Sequence, residues 1–200
     1  MTNFEAKETV QIYLDTISKY LIHEIKGLAS KRPNSDGYEG YAVPLALTLF
    51  ALMDVLGFLL RKRGTKGNNP DPKKTIENFK ALLAGSNYFP EIYSEEKTWR
   101  VLLTIFRHGI SHTLFPKVSG IGKHGEKQLI TSDSGGCKFT LNVDRLTKDC
   151  LEAFEKIKLM VEEGADEELI NRIDERLTQL YDEDSKDIEE ILKEIHPDLT

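Results

Sequence analysis

Cysteine is scarce in this chain of 200 residues, which contains only Cys137 and Cys150. Two cysteines cannot form the several disulfides that stabilise small secreted proteins, and no CxxC or mixed Cys/His spacing typical of a zinc site occurs. The opening residues MTNFEAKETV lack the basic and apolar segments of a signal peptide, so none is expected. These features are typical of a reducing compartment, and the predicted location is cytoplasmic.

Long hydrophobic runs are also rare, and the one exception spans residues 41–60 with Asp54 as its single charge. Its length and the RKR that follows it permit a transmembrane helix. The alternative is the central helix of a helical bundle, buried on most sides. Pro44, Thr48 and Gly57 interrupt the run, and the other predicted helices are amphipathic. The buried helix is therefore favoured, and no membrane partner is expected.

Charge is distributed unevenly along the chain, whose net charge is −6. Residues 162–200 contain 15 acidic and 4 basic residues, a net of −11, which leaves +5 for residues 1–161. A mildly basic body can meet a polyanion such as RNA, whereas an acidic tail repels one.

Apolar residues recur three or four positions apart along most of the chain, which predicts amphipathic helices in one domain. The predicted helices cover about residues 4–31, 41–63, 75–84, 94–112, 144–163, 166–182 and 185–195. The β-type stretches LIT and CKFTLNV predict a small β-hairpin. The predicted fold class is all-α: an antiparallel helical bundle over residues 1–163, with the hairpin inserted at about 116–143. An acidic amphipathic helical extension, residues 164–200, is expected to pack on the same domain.

The stretch FRHGISH, residues 106–112, gathers an arginine, two histidines and a serine at the end of a predicted helix. His108 and His112 are four residues apart and share a helix face, so they are a potential metal pair. Zinc needs a third and a fourth ligand, and the other three histidines lie in no ligand motif. Arg107 would also repel a cation, so no metal or other cofactor is expected. A second alternative is a polar helix end that satisfies free carbonyl groups.

Arg107 and His112 together indicate a different chemistry. Arginine grips a phosphate in two places, and histidine moves a proton near neutral pH. Phosphate binding and proton transfer are what RNA cleavage by its own 2′-hydroxyl requires. Five residues apart on a regular helix, the two side chains diverge by about 140°. They converge better if the helix loosens, and Gly109 between them allows that.

This arrangement resembles the HEPN superfamily, all-α domains in which an Arg near the end of the third core helix is followed by four to six residues and a His. Here the pattern reads Arg107, His108 as the polar follower, and His112, and the resemblance covers about residues 4–163. It implies a metal-independent endoribonuclease that leaves 2′,3′-cyclic phosphate ends, with a composite site at a two-fold homodimer interface. Carried over, His112 transfers the proton, Arg107 clamps the phosphate, and His108 orients the site or contacts RNA, with Ser111 as a further supporting hydroxyl.

The resemblance also implies toxin–antitoxin, phage-defence or RNA-processing settings, and some members are non-catalytic. The alternative function is therefore a HEPN-like interaction or scaffold protein that binds a protein or nucleotide partner, with the acidic C-terminal helices as a contact surface. Asp54 is a buried-charge candidate that pairs with Arg107 or His112, or with another group in the core. Six basic residues lie close together in the sequence: Arg61, Lys62, Arg63, Lys66, Lys73 and Lys74. Their side chains either contact the phosphate backbone of an RNA or belong to a loop that is simply exposed to solvent.

Overall fold

The structure is a computed structural model that describes residues 3–31, 41–62, 74–84, 87–113, 119–123, 128–131 and 139–195. Within these ranges, the side chains of residues 3–4, 111–113 and 183–195 lie outside the described part. The fold is mostly helical and carries one small sheet. In chain order the elements are α1 (Asn3–Ile17), a π-helical segment (Ser18–Ile22), α2 (His23–Ser30), α3 (Ala42–Leu60), α4 (Thr75–Leu83), a 3₁₀ turn (Glu91–Tyr93), α5 (Glu96–Val101), a second π-helical segment (Leu102–Arg107), α6 (His108–Thr113), β1 (Gly120–Gly122), β2 (Ile130–Thr131), β3 (Thr140–Asn142), α7 (Val143–Glu163) and α8 (Glu167–Ile195).

Helix α3 lies at the centre of the fold. Among the described residues, it is the one helix that is long and apolar enough to span a bilayer, by length and composition alone. Within its most apolar stretch of 18 residues, 61% is buried inside the fold. Its neighbours include α2, α4, α7 and α8. The burial is what the core-helix interpretation of residues 41–60 predicts, because a helix that is apolar on nearly all sides needs partners on nearly all sides.

The motif helix is not a uniform α-helix. α5, the second π-helical segment and α6 follow one another without a break, and the backbone of Arg107 is the last in the π geometry. α1, the first π-helical segment and α2 are likewise continuous across residues 3–30. The sequence predicted both long helices but neither π-helical segment, because one extra residue in a turn barely changes the apolar spacing.

The sheet is larger than the predicted hairpin. β2 and β3 pair antiparallel, with Ile130 opposite Leu141, as a hairpin requires. β1, which lies outside the two β-type stretches identified in the sequence, pairs in parallel with the other edge of β3, giving the order β1-β3-β2. The missed strand is three residues long and contains two glycines, so it shows no β-type composition of its own. Its position depends on a partner 20 residues later in the chain.

Of the helices predicted after the sheet, the first was predicted correctly, whereas the break predicted between the last two is wrong. α7 begins where the Asn142 side chain accepts a hydrogen bond from the Arg145 backbone N–H, and it ends at Gly164, whose φ of 67° suits glycine. The two helices predicted for residues 166–182 and 185–195 form a single helix, α8. The intervening residues contain no Pro or Gly, so nothing interrupts the backbone hydrogen bonds between them.

A buried polar network joins the segment before α5 to α7. Tyr93 is fully buried, and its hydroxyl donates a hydrogen bond of 2.7 Å to Asp149 Oδ2. The Arg145 Nε donates to both oxygens of the same carboxylate, at 3.1 and 2.8 Å. Burial raises the pKa of Tyr93 far above its ordinary value. The tyrosine therefore stays a neutral donor, and the network holds the start of the motif helix against α7.

We expect Tyr93→Phe to lower the free energy of unfolding by about 1.5–3 kcal/mol, because it removes a buried hydrogen bond to a charged group. The matched control is Tyr181→Phe, since Tyr181 is 74% exposed. Urea unfolding of both variants measures the difference. Equal midpoints for the two variants would show that the Tyr93 hydroxyl does not stabilise the fold.

Candidate functional site

The site begins with the close packing of α4 on α3. A Cβ built at Gly57 on α3 would lie 2.1 Å from the backbone oxygen of Asn78 on α4, a distance that no side chain can occupy. Glycine therefore permits this approach. As a result, two α4 side chains reach Asp54, one turn earlier on α3. Asn78 Nδ2 donates to Asp54 Oδ1 at 2.8 Å, and Thr75 Oγ1 donates to Asp54 Oδ2 at 3.1 Å.

Arg107 meets this cluster from the motif helix. Its Nη2 lies 3.6 Å from Asp54 Oδ2 and donates to Thr75 Oγ1 at 3.3 Å. The sequence predicted either Arg107 or His112 as a partner of Asp54. The structure brings Arg107 to Asp54, although the two residues are 53 positions apart in the sequence. The side chains are only partly buried, with 26% of Arg107 and 24% of Asp54 exposed.

The contacts of the Arg107 guanidinium are long. Charge-assisted hydrogen bonds between arginine and carboxylate measure about 2.7–2.9 Å, and Arg145 reaches 2.8 Å to Asp149. Neither described contact of Arg107 on α3 or α4 is that short. Asp54 takes its closest hydrogen bond from Asn78 instead. Arg107 therefore keeps donor capacity for an external anion.

His108 lies directly beside Arg107. Its Nδ1 is 3.4 Å from Arg107 Nη1, and the direction of that hydrogen bond depends on the tautomer of the imidazole. His108 is half-buried, as is Arg107. The structure thus joins three of the five predicted site residues in one cluster: Asp54, Arg107 and His108.

The other two predicted site residues, Ser111 and His112, have a described backbone in α6, while their side chains lie outside the described part of the structure. On a regular helix, His112 falls on the same face as His108 and about 140° from Arg107. The loosening that Gly109 allows does not occur at Gly109, because residues 108–113 are α-helical. The loosening occurs one turn earlier, in the π-helical segment that ends at Arg107.

The basic residues before α4 have different environments in the structure. Arg61 forms an ion pair with Glu77 and donates to Asn78 Oδ1 at 3.0 Å, so it supports α4. Lys74 lies 3.8 Å from the same Glu77 and is exposed, as is Lys62. Three further basic residues lie outside the described residues: Arg63, Lys66 and Lys73. In the described ranges, no group of three or more His, Cys, Asp or Glu could hold a metal ion.

A cavity of about 440 Å³ opens beside the cluster. Its polar end consists of Asp54, Asn78 and Arg107, and its remaining wall is apolar, built from α3 and from Leu180 of α8. Three residues of this site are not recognisable from the sequence: Thr75, Asn78 and Leu180. No motif marks them, because each belongs to an ordinary amphipathic helix and reaches the site only through packing.

Comparison with known proteins covered protein-family models, curated proteins and solved structures. None of the three comparisons returned a match.

Proposed function

We propose that the protein is a metal-independent endoribonuclease of the HEPN type, acting as a homodimer in the cytoplasm. The observation that carries the proposal is the exposure of Arg107 and the length of its contacts. This arginine is a partly exposed cation at the end of the motif helix, held in place by Asp54 and Thr75 at distances that leave donors for a phosphate. His108 beside it supplies a second group able to hydrogen-bond to RNA.

The proposed reaction uses the 2′-hydroxyl of RNA as the nucleophile. His112 removes its proton, the oxygen attacks the adjacent phosphorus, and the P–O5′ bond breaks to leave a 2′,3′-cyclic phosphate and a 5′-hydroxyl. The leaving 5′-oxygen receives a proton from the second histidine of the dimer, His112 of the other subunit in its protonated form. Arg107 binds the non-bridging oxygens and stabilises the charge that develops on them. Asp54 orients Arg107 both directly and through Thr75, which donates to Asp54 and accepts from Arg107.

Two considerations, proton transfer and helix geometry, support a dimer in this proposal. One histidine cannot act as base and acid in the same step, whereas a two-fold dimer supplies two. On a regular helix, two residues five positions apart, as Arg107 and His112 are, also project about 140° apart. A partner subunit that presents its own motif helix would place a histidine of one chain opposite an arginine of the other. The fitting biological settings are toxin–antitoxin systems, phage defence and RNA processing.

The second candidate function is a non-catalytic HEPN-like protein that binds a protein or nucleotide partner. It is favoured by the length of α8, 29 residues, and by Tyr181, which is 74% exposed and follows the partly buried Leu180. An acidic helix with an exposed aromatic side chain is suited to a protein partner.

The first experiment incubates the purified protein with total RNA in EDTA. We expect cleavage to continue and to leave 2′,3′-cyclic phosphate ends, because no step uses a metal ion. Treatment of the products with a cyclic-phosphate ligase identifies those ends. Cleavage that stops in EDTA, or products with 5′-phosphate ends, would exclude the proposed mechanism, and the absence of any cleavage would favour the binding protein.

A further inference from the structure

The apolar part of the cavity beside Arg107 has no role in the proposed cleavage. It is lined by Leu180 of α8 and by four side chains of α3: Leu47, Phe50, Val55 and Phe58. The volume of about 440 Å³ lies within the range of small-molecule sites. A concave apolar wall that ends in a few polar groups is the usual form of such a site.

The aromatic side chains of this wall do not suit a stacked base. Base stacking needs an exposed ring face, whereas Phe50 and Phe58 are each only 2% exposed. The more accessible lining groups are small or aliphatic: Leu47, Ala51, Val55 and Leu180. Such a surface fits a flexible apolar chain, because burial of methylene groups needs no particular ring geometry.

The polar end of the cavity favours an anion over a cation. Asp54 already accepts hydrogen bonds from Asn78 and Thr75, and it lies at the first turn of α4, where the helix dipole stabilises negative charge. Arg107, in contrast, is partly exposed, and its contacts with Asp54 and Thr75 are long, at 3.6 and 3.3 Å. The group with spare capacity to bind is therefore the cation, and the complementary ligand group is an anion.

We propose that the cavity between α3 and α8 binds a free anionic amphiphile, such as a medium-chain carboxylate, with its chain between the α3 wall and Leu180 and its carboxylate on Arg107. The inference goes beyond the proposed cleavage, because it depends on the cavity and not on His112 or on a dimer. Binding is measured without RNA. A protein that binds the amphiphile but cuts no RNA supports this inference and refutes the nuclease, and the reverse outcome does the opposite.

The probe is decanoate, titrated into the full-length protein by isothermal calorimetry. We expect octanoate to bind about tenfold more weakly, because two fewer methylene groups are buried. Decan-1-ol, which has the same chain but no charge, is also expected to bind about tenfold more weakly, because it cannot form a charge-assisted hydrogen bond with Arg107. Equal affinities across the three probes would overturn the proposal.

Two pairs of variants locate the site. Leu180→Asp places a carboxylate against the chain and is expected to abolish decanoate binding, whereas its neighbour variant Tyr181→Asp is expected to bind normally, because Tyr181 is exposed and does not line the cavity. Arg107→Gln is expected to weaken binding about tenfold, and Arg100→Gln to leave it unchanged, since Arg100 is an exposed residue paired with Glu96. Thermal unfolding confirms that each variant is folded.

Several outcomes would refute the site. Equal loss in Leu180→Asp and Tyr181→Asp, or full binding in Leu180→Asp, would show that decanoate does not occupy this cavity. No binding of decanoate by the wild type at about 1 mM would exclude the ligand class. Association with phosphatidylglycerol vesicles in the absence of decanoate binding would indicate a membrane surface in place of a free amphiphile.

Discussion

Replacing His112 with alanine, or Arg107 with glutamine, is expected to lower the rate of RNA cleavage by about a hundred- to ten-thousandfold. A positioned proton-transfer group contributes about that factor, and so does a group that stabilises charge developing on a phosphate. The measurement is the single-turnover cleavage rate of a labelled RNA in EDTA. Because both residues act on the same reacting phosphate, the double variant is expected to be little slower than either single variant.

The controls for this experiment are residues of the same type that lie away from the cluster. His23→Ala removes an exposed histidine at the start of α2, and Arg100→Gln removes an exposed arginine two turns before Arg107 on the motif helix. Both are expected to cleave at the wild-type rate. All variants are purified by the same route, so a contaminating nuclease would give equal rates throughout. That result, or wild-type rates in the two motif variants with the fold intact, would refute the assignment of the site.

Gly57→Ala is expected to lower the free energy of unfolding by about 1–3 kcal/mol, or more if α4 cannot move away. The new methyl group would lie 2.1 Å from the backbone oxygen of Asn78, so a whole helix must shift and not merely one side chain. For a protein of this length, the melting temperature falls by about 2–4 °C for each kcal/mol. The same shift moves Thr75 and Asn78 away from Asp54, so cleavage is expected to fall as well.

Gly27→Ala is the matched control for this substitution. Gly27 lies inside α2, and a Cβ built there meets nothing within 4 Å. Alanine is favoured over glycine in a helix interior by about 0.5–1 kcal/mol, so this variant is expected to be more stable than the wild type. Thermal and urea unfolding of the two variants should therefore give changes of opposite sign. Destabilisation of similar size in both would show that the close approach of α4 to α3 is not the cause.

Helix positions were predictable where the signals are local. The apolar run at residues 41–60 marks α3, and the change from β-type residues to a helical stripe marks the start of α7 within one residue. Gly164 marks the end of α7, because a left-handed residue is needed there and glycine adopts that conformation without strain. Each of these signals is carried by residues close together in the chain.

Other features of the fold were missed for the corresponding reason. β1 is a strand because of β3, and Gly120–Gly122 alone show no preference for that conformation. The π-helical segment before His108 changes where Arg107 points, yet it leaves the apolar spacing of the helix almost unaltered. The break predicted within α8 had no helix-breaking residue behind it, and the continuous helix follows from that absence.

The sequence by itself determined that the protein is mostly helical, that residues 42–60 are apolar enough to form a core helix, and that an arginine and two histidines end the motif helix. These properties are local, since they depend on composition and on spacing within one element. Only the tertiary structure decided that Asp54 meets Arg107 directly and through Thr75, that Gly57 lets α4 approach closely enough to build this cluster, and that Leu180 lines a cavity beside it. Such contacts join residues tens of positions apart, and their geometry is set by how the helices pack against one another rather than by the sequence around any one of them.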